Sequence, residues 1–444
     1  MKISTGKKIV HFCNYSPIDS GIYPETRDLV LEELRRGYDA YILDHVVQNK
    51  NRLDPALHDD LFKMGRVIGI EDDRLSDTAD LICWHSFLPE KFRNDQTKNL
   101  VMFLHGMPSF VFYNELYGGD PVLSFLKTAE KNLPHCHFFF SLWPTHEPFW
   151  ENIFRSKLVV TKPIIDCDCI QLKKDNFDPN HMRLVVMDTW RGGKEPYYIF
   201  NAVQRLMALH AKGKLSAKVT LSIYGQGADQ VQPVWRAIIR DEFEPCFKYM
   251  GRDKPQAIFD QNDIILTQVG EIPTESRVIR EGLLAGMPIV SGFAFDPWTD
   301  FKHDCRDISG YADQILRCWN SLQDQRQRNH RRRLRRQRAM DAFDIRRNGD
   351  AIFDCYEKIF ARAQNKRTTT AETADPGANR PPIAPANLSP ANGPDYEKIK
   401  NLLRANCNNG QSGNCFETVL AQMATTKTMT KEEALIRLMM DLTN

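Results

Sequence analysis

The feature that most constrains this chain is a strand–turn–helix–strand unit between residues 7 and 44. Residues 9–15 form a largely apolar run, too continuous for a strand with one wet face, and predict a buried strand. A loop with Pro17 and Gly21 follows. From Glu25 to Arg36 the spacing of Leu29, Val30 and Leu34 puts apolar side chains on one face of a helix. Gly37 stands where a left-handed residue ends such a helix, and residues 38–43 form the next strand. Strands joined through a helix run parallel, so the chain is expected to be α/β. Ligands then belong at the carboxyl ends of the strands.

The rhythm repeats. Residues 81–84 and 100–104 read as short buried strands, each followed by a histidine, His85 and His105. Residues 137–141 and 157–160 continue the series. A second series starts at residues 182–187, with a helix running to Leu209 and strands at 217–224, 247–250, 263–267 and 288–291. Residues 276–285 form a helix between the last two. Two such series imply two Rossmann-like domains facing a cleft, residues 1–170 and 171–340, with a closing helix over 341–364. Residues 365–394 are rich in Thr, Ala, Pro and Asn and read as a flexible linker. Residues 395–444 follow as a small helical module, whose last helix opens on a capping box at Thr430 and Glu433 and offers a surface for a protein partner.

Composition narrows the class. A formal net charge of +2 supplies no global field towards nucleic acid or lipid. No apolar stretch approaches the roughly 18–20 residues that span a bilayer. The 11 scattered cysteines fit reduced thiols, and the expected location is the cytoplasm or a peripheral position at a membrane. Cys167 and Cys169 around Asp168, and Cys136 between His135 and His137, fit alternating strand positions better than metal ligands. Eight arginines fall between Arg326 and Arg338, on nearly every face of a helix with Leu334 as a rare apolar anchor. Such a helix is expected to be mostly solvated. It is either plain surface or a site for an anionic partner: a nucleic acid, an acidic glycan or a lipid headgroup.

Several short motifs occur in an order that resembles the GT-B glycosyltransferases, and among them the retaining family-four enzymes. The opening unit with Gly21 and Arg35-Arg36-Gly37 is similar to their first βαβ unit, and Phe103-Leu104-His105-Gly106 to a strand-end His-Gly. Glu281, followed by Gly286-Met287-Pro288-Ile289-Val290, resembles the second glutamate and the Gly-x-Pro-Val of their signature. The resemblance covers roughly residues 7–363. It implies a hexosyl- or pentosyltransferase that uses a UDP-, GDP- or ADP-sugar, retains configuration and needs no metal or other cofactor.

It also implies site residues, and the chemistry of each suits the role. Expelling a nucleoside diphosphate needs positive charge where negative charge develops. In Trp190-Arg191-Gly192-Gly193-Lys194, Arg191 can grip phosphate in bidentate fashion and Lys194 adds a point charge. Gly225, with Gly227, resembles the family's Gly-x-Gly turn. Glu281 would accept hydrogen bonds from ribose hydroxyls. The family's first glutamate, eight residues earlier, is Pro273 here; Glu271 and Glu275 lie nearby, and Thr274, Glu275 and Ser276 can offer donors at a helix start. His105 is the candidate at the reacting sugar. A general base for inversion would come from Asp19, His85 or His105. Phe110, Phe112, Tyr113, Tyr117, Trp143, Phe149 and Trp150 are an acceptor platform or core filler. The acceptor is open: a glycan, a lipid-linked glycan, a protein or a modified DNA base. A non-catalytic scaffold and a nucleotide-sugar epimerase are the other readings of the same fold.

Overall fold

The computed structural model describes residues 6–13, 22–44, 59–69, 74–85, 97–105, 135–142, 150–151, 154–188, 196–225, 232–233, 235–267 and 276–372. The first series builds a seven-stranded sheet from β1 (Lys8–Cys13), β2 (Asp39–Asp44), β3 (Val67–Gly69), β4 (Leu81–Trp84), β5 (Leu100–Leu104), β6 (Cys136–Ser141) and β7 (Leu158–Val160). Its order is β3-β2-β1-β4-β5-β6-β7 and every pairing is parallel. The second series builds a six-stranded parallel sheet from β8 (His181–Met187), β9 (Lys218–Tyr224), β10 (Phe247–Gly251), β11 (Ile264–Thr267), β12 (Ile289–Ser291) and β13 (Phe301–Lys302), in the order β10-β9-β8-β11-β12-β13. Each order reverses direction once, between β1 and β4 and between β8 and β11. Those reversals open the crevices in which such sheets hold ligands.

The first crossover is helix α1 (Ile22–Arg36), three residues longer at its start than the apolar spacing predicts. Gly37 ends it at φ +92°, with its N–H donating to Leu34 O and that of Tyr38 to Glu33 O. Short helices α2 (Asp60–Lys63) and α3 (Arg74–Asp77), together with β3, fill a stretch whose hydrophobic pattern is too brief to predict them. In the second half, α4 (Tyr197–Ala211) covers one face of the sheet, while α5 (Pro255–Gln261) and α6 (Arg277–Leu284) cover the other. α6 lies so close to the strands that a Cβ on Gly282 would meet Ile265 Cδ1 at 2.4 Å. Gly286 turns the chain out of α6 at φ +73°, where a Cβ would stand 2.8 Å from the Arg332 carbonyl oxygen.

The chain continues through α7 (Ile308–Asn320), α8 (Gln325–Phe343), α9 (Ile345–Asn348) and α10 (Asp350–Glu372), so the stretch 341–364 expected as one closing helix holds the end of α8, all of α9 and most of α10. Asp324 caps α8 by accepting from Gln327 N, and Asp344 caps α9 by accepting from Arg346 N. The chain leaves the first sheet at Ile165 and returns beside it: Ile165 N donates to Phe343 O and Ile345 N to Ile165 O. α10 then packs Ile352, Phe353, Tyr356, Ile359 and Phe360 into the core of the first sheet. It continues seven residues beyond residue 365, where the polar composition begins.

Two expectations fail. Cys167 and Cys169 sit in a turn rather than a strand, Cys169 N donating to Asp166 O, whereas Cys136 does lie in β6. The arginine helix is not mostly solvated. Leu334 is 54% exposed while Arg332 and Arg335 are buried at 8% and 7%, so arginines and not the leucine occupy the inner face. Arg336 donates to Ile170 O at 2.8 Å and Leu284 O at 2.7 Å, and Arg338 donates to Pro297 O at 2.6 Å. Arg328 pairs with Asp175 and Arg335 with Asp300. The long stems pack while the guanidiniums reach polar partners at the edge of the contact. With Arg332, which also pairs with Asp175, five of these arginines are committed to carbonyls or carboxylates elsewhere in the fold, while Arg333 on the exposed face reaches only the Asn329 carbonyl of its own helix.

Candidate functional site

The carboxyl end of β1 and those of β4 and β5 bring His11, His85 and His105 together. His11 lies inside β1, while His85 and His105 each follow the last residue of a strand. Parallel neighbours in register place these positions side by side, His11 opposite Cys83 and Phe12 opposite Trp84. His11 Nδ1 lies 2.8 Å from His85 Nε2, and His85 Nδ1 lies 2.7 Å from His105 Nε2. Phe103 stacks on His85, with ring centroids 4.6 Å apart. The ends of this row are carboxylates from α1. Glu33 Oε2 is 2.8 Å from His11 Nε2, and Glu25 Oε2 is 3.0 Å from His105 Nδ1. Both nitrogens of His105, the expected sugar contact, are therefore engaged within the protein.

The other oxygen of Glu25 accepts from Arg280 of α6, whose second guanidinium nitrogen donates to Ile164 O at 2.8 Å. One helical turn further along α1 and one turn back along α6, Arg277 meets Asp28 at 2.7 Å. Glu25 and Asp28 on α1, and Arg277 and Arg280 on α6, are each three residues apart, so each pair shares a helix face. The two faces form a matched double ion pair joining the helix after β1 to the helix after β11. Arg27 also donates to Asp28, as does the Asp166 main chain at 3.0 Å. Burial alone would raise both carboxyls. Arg280 and His105 outweigh it at Glu25 and hold that group at about 2, and Arg277 and Arg27 likewise hold Asp28 below its usual range. Burial has no such opponent at His85, where the neighbouring imidazoles add to it and push the ring well below 6.5.

α6 also carries Glu281, which is buried and accepts from Arg277 Nε at 2.7 Å. Ser276, read as a donor at a helix start, is the N-cap of α6 and accepts from Ile279 N at 3.5 Å. Gly225 follows β9 at φ +126°, its N–H donating at 2.7 Å to the carbonyl of Gly251, the last residue of the neighbouring β10. Asp19, Gly21, Arg191, Lys194, Thr274 and Glu275 lie outside the described residues, as do Glu271, Pro273 and the candidate platform aromatics other than Trp150. Residues 189–195 leave β8 and residues 268–275 leave β11, the two strands that flank the second reversal. Trp150 is buried against Phe154.

His11, Glu33 and Cys83 bring one potential ligand atom each to within 4.8 Å of one another. His11 spends both nitrogens on hydrogen bonds to Glu33 and His85, and burial pushes the Cys83 thiol well up. The motifs did not single out His11, Glu33, Glu25, Asp28, Arg277 or Arg280. The one hint in the sequence was acidic residues at 25, 28, 32 and 33 on a helix whose Leu29 and Val30 must face inward.

No protein-family model matches the sequence, and no curated protein matches it. Solved structures match the fold. Sucrose-phosphate synthase of Thermosynechococcus elongatus aligns with a TM-score of 0.60 at 12% identity, over 80% of this chain and 100% of that one. The Anabaena protein HepE, in complex with UDP, aligns with a TM-score of 0.57 at 15% identity, over 79% and 100%. An alpha-glucosyltransferase in complex with UDP and a 13-mer DNA containing an HMU base aligns with a TM-score of 0.55 at 11% identity, over 79% and 99%. The chain has the GT-B fold. Among the described residues no helix is long and apolar enough to cross a membrane.

Proposed function

We propose that the chain is a glycosyltransferase that takes its sugar from a nucleotide-sugar donor bound in the crevice between β8 and β11. The observation that carries this is α6. It begins at a capped serine beside that crevice, buries Glu281 in contact with Arg277, and ends at Gly286 in the turn that feeds β12. A carboxylate held in place by a guanidinium is a pre-oriented acceptor for ribose hydroxyls. Arg191 and Lys194 follow β8 in the sequence and would supply the charge that a departing diphosphate needs, which is why the reading is metal-independent. The GT-B neighbours that carry UDP support a uridine donor first. Retention of configuration belongs to the same reading, with His105 and Asp19 near the reacting sugar.

Calorimetry with UDP-, GDP- and ADP-glucose tests it, and failure of all three nucleotides to bind would sink it. Arg191→Ala and Lys194→Ala should each weaken UDP by on the order of 1.5–3 kcal/mol, the value of a charge-assisted phosphate contact. Glu281→Gln should weaken UDP more than it weakens pyrophosphate, since its partner is the ribose. Equal losses for the two ligands would reduce Glu281 to a partner of Arg277.

A further inference from the structure

Two carboxylates and three imidazoles alternate in one buried row: Glu33, His11, His85, His105, Glu25. Four short gaps separate them, of 2.8, 2.8, 2.7 and 3.0 Å. Each gap is a hydrogen bond and needs one proton. Ionised carboxylates bring none, and three neutral imidazoles bring three. The row is one proton short unless one ring carries two. Charge gives the same count. Glu33 and Glu25 contribute two negative charges and Arg280 one positive, so one added proton makes the buried set neutral, the condition that burial favours.

We propose that this row stores one proton beyond those of its neutral rings and that the proton rests on His11 opposite Glu33. With Arg280 in place each carboxylate has its own cation. His11 then donates to Glu33 and to His85, His85 donates from Nδ1 to His105, and His105 donates from Nδ1 to Glu25.

Among the described residues, those that face the Glu33 end of the row add no competing charge. Cys83 from β4 and Tyr356 from α10 face Glu33 and His11, and burial pushes both groups well above their usual values, so they stay protonated. Tyr38 donates to Glu357 and is raised as well, by burial first and by that carboxylate second. Phe103 covers His85.

The test is nitrogen-resolved NMR of the full-length, ligand-free protein with 15N-labelled histidine, each ring assigned by substitution of its histidine. At neutral pH we expect His11 protonated at both nitrogens and His85 and His105 at one each. Three singly protonated rings, or a bound metal on His11 in place of Glu33, would overturn the proposal. In Glu33→Gln, His11 must lose its second proton, and retention of it in the folded variant counts against the stored charge.

Discussion

At the scale of residues, this protein concentrates charge where most cores are apolar. Glu25, Asp28 and Glu33 on α1 and Arg277 and Arg280 on α6 are all buried or nearly so, and breaking one partner would strand the other in a low-dielectric interior. Acid stability should report this. Burial holds His85 below 6.5 in the folded state, so unfolding takes up a proton there; that contribution is fully present above about pH 6.5 and is lost as the pH falls. Glu25 is held at about 2 against 4.5 for a free carboxyl, so its contribution, on the order of 3 kcal/mol, is present above pH 4.5 and lost towards pH 2. Urea unfolding across this range should show stability declining in two stages, first below 6.5 and then more steeply below 4.5. A flat profile between 6.5 and 4.5 would mean that His85 is not held neutral.

At the scale of elements, α8 shows how an arginine-rich helix can be structural. Its inner face combines the stems of Arg332 and Arg335 with Ala339 and Phe343, and Arg336 ties the ends of two segments by donating to Ile170 and Leu284 carbonyls. Arg336→Ala should cost about 2–3 kcal/mol in unfolding free energy, since it strands buried carbonyls. Arg333→Ala, on the outer face, should stay within roughly 0.5 kcal/mol of wild type. Equal effects of the two substitutions in chemical denaturation would put the solvated reading of the run back in place.

At the scale of the whole molecule, the chain crosses from the first sheet to the second near Ile165 and back at Ile345, and α10 completes the core it left. A chain ending at residue 349 loses five large buried side chains from that core. At roughly 1.5–3 kcal/mol each, their sum reaches the 5–15 kcal/mol that holds a domain together. That truncation should abolish cooperative unfolding of the first half, whereas a chain ending at residue 364 should keep it. Circular dichroism during thermal melting separates the outcomes; a cooperative melt of the shorter chain would show that α10 is dispensable.

The sequence by itself determined the parallel α/β architecture and most of its elements. Strand, helix and terminator are local: the continuous apolar run at β1, the spacing of Leu29, Val30 and Leu34, and Gly37 at positive φ suffice to specify one βαβ unit. Glu281 and Gly286 were legible for the same reason, as residues at fixed offsets along one helix and its exit turn. Nothing local specifies that His11, His85 and His105 form a row. Each lies on a different strand, and they meet only because β1, β4 and β5 pair in one register. The arginines of α8 misled for the complementary reason. Periodicity scores a charged residue as outward, and only the packed structure shows which stems have carbonyls and carboxylates waiting at their ends. Whether a charge faces water or a partner is decided by contacts between residues far apart in the chain, such as Arg280 with Glu25, and those exist only in the tertiary fold.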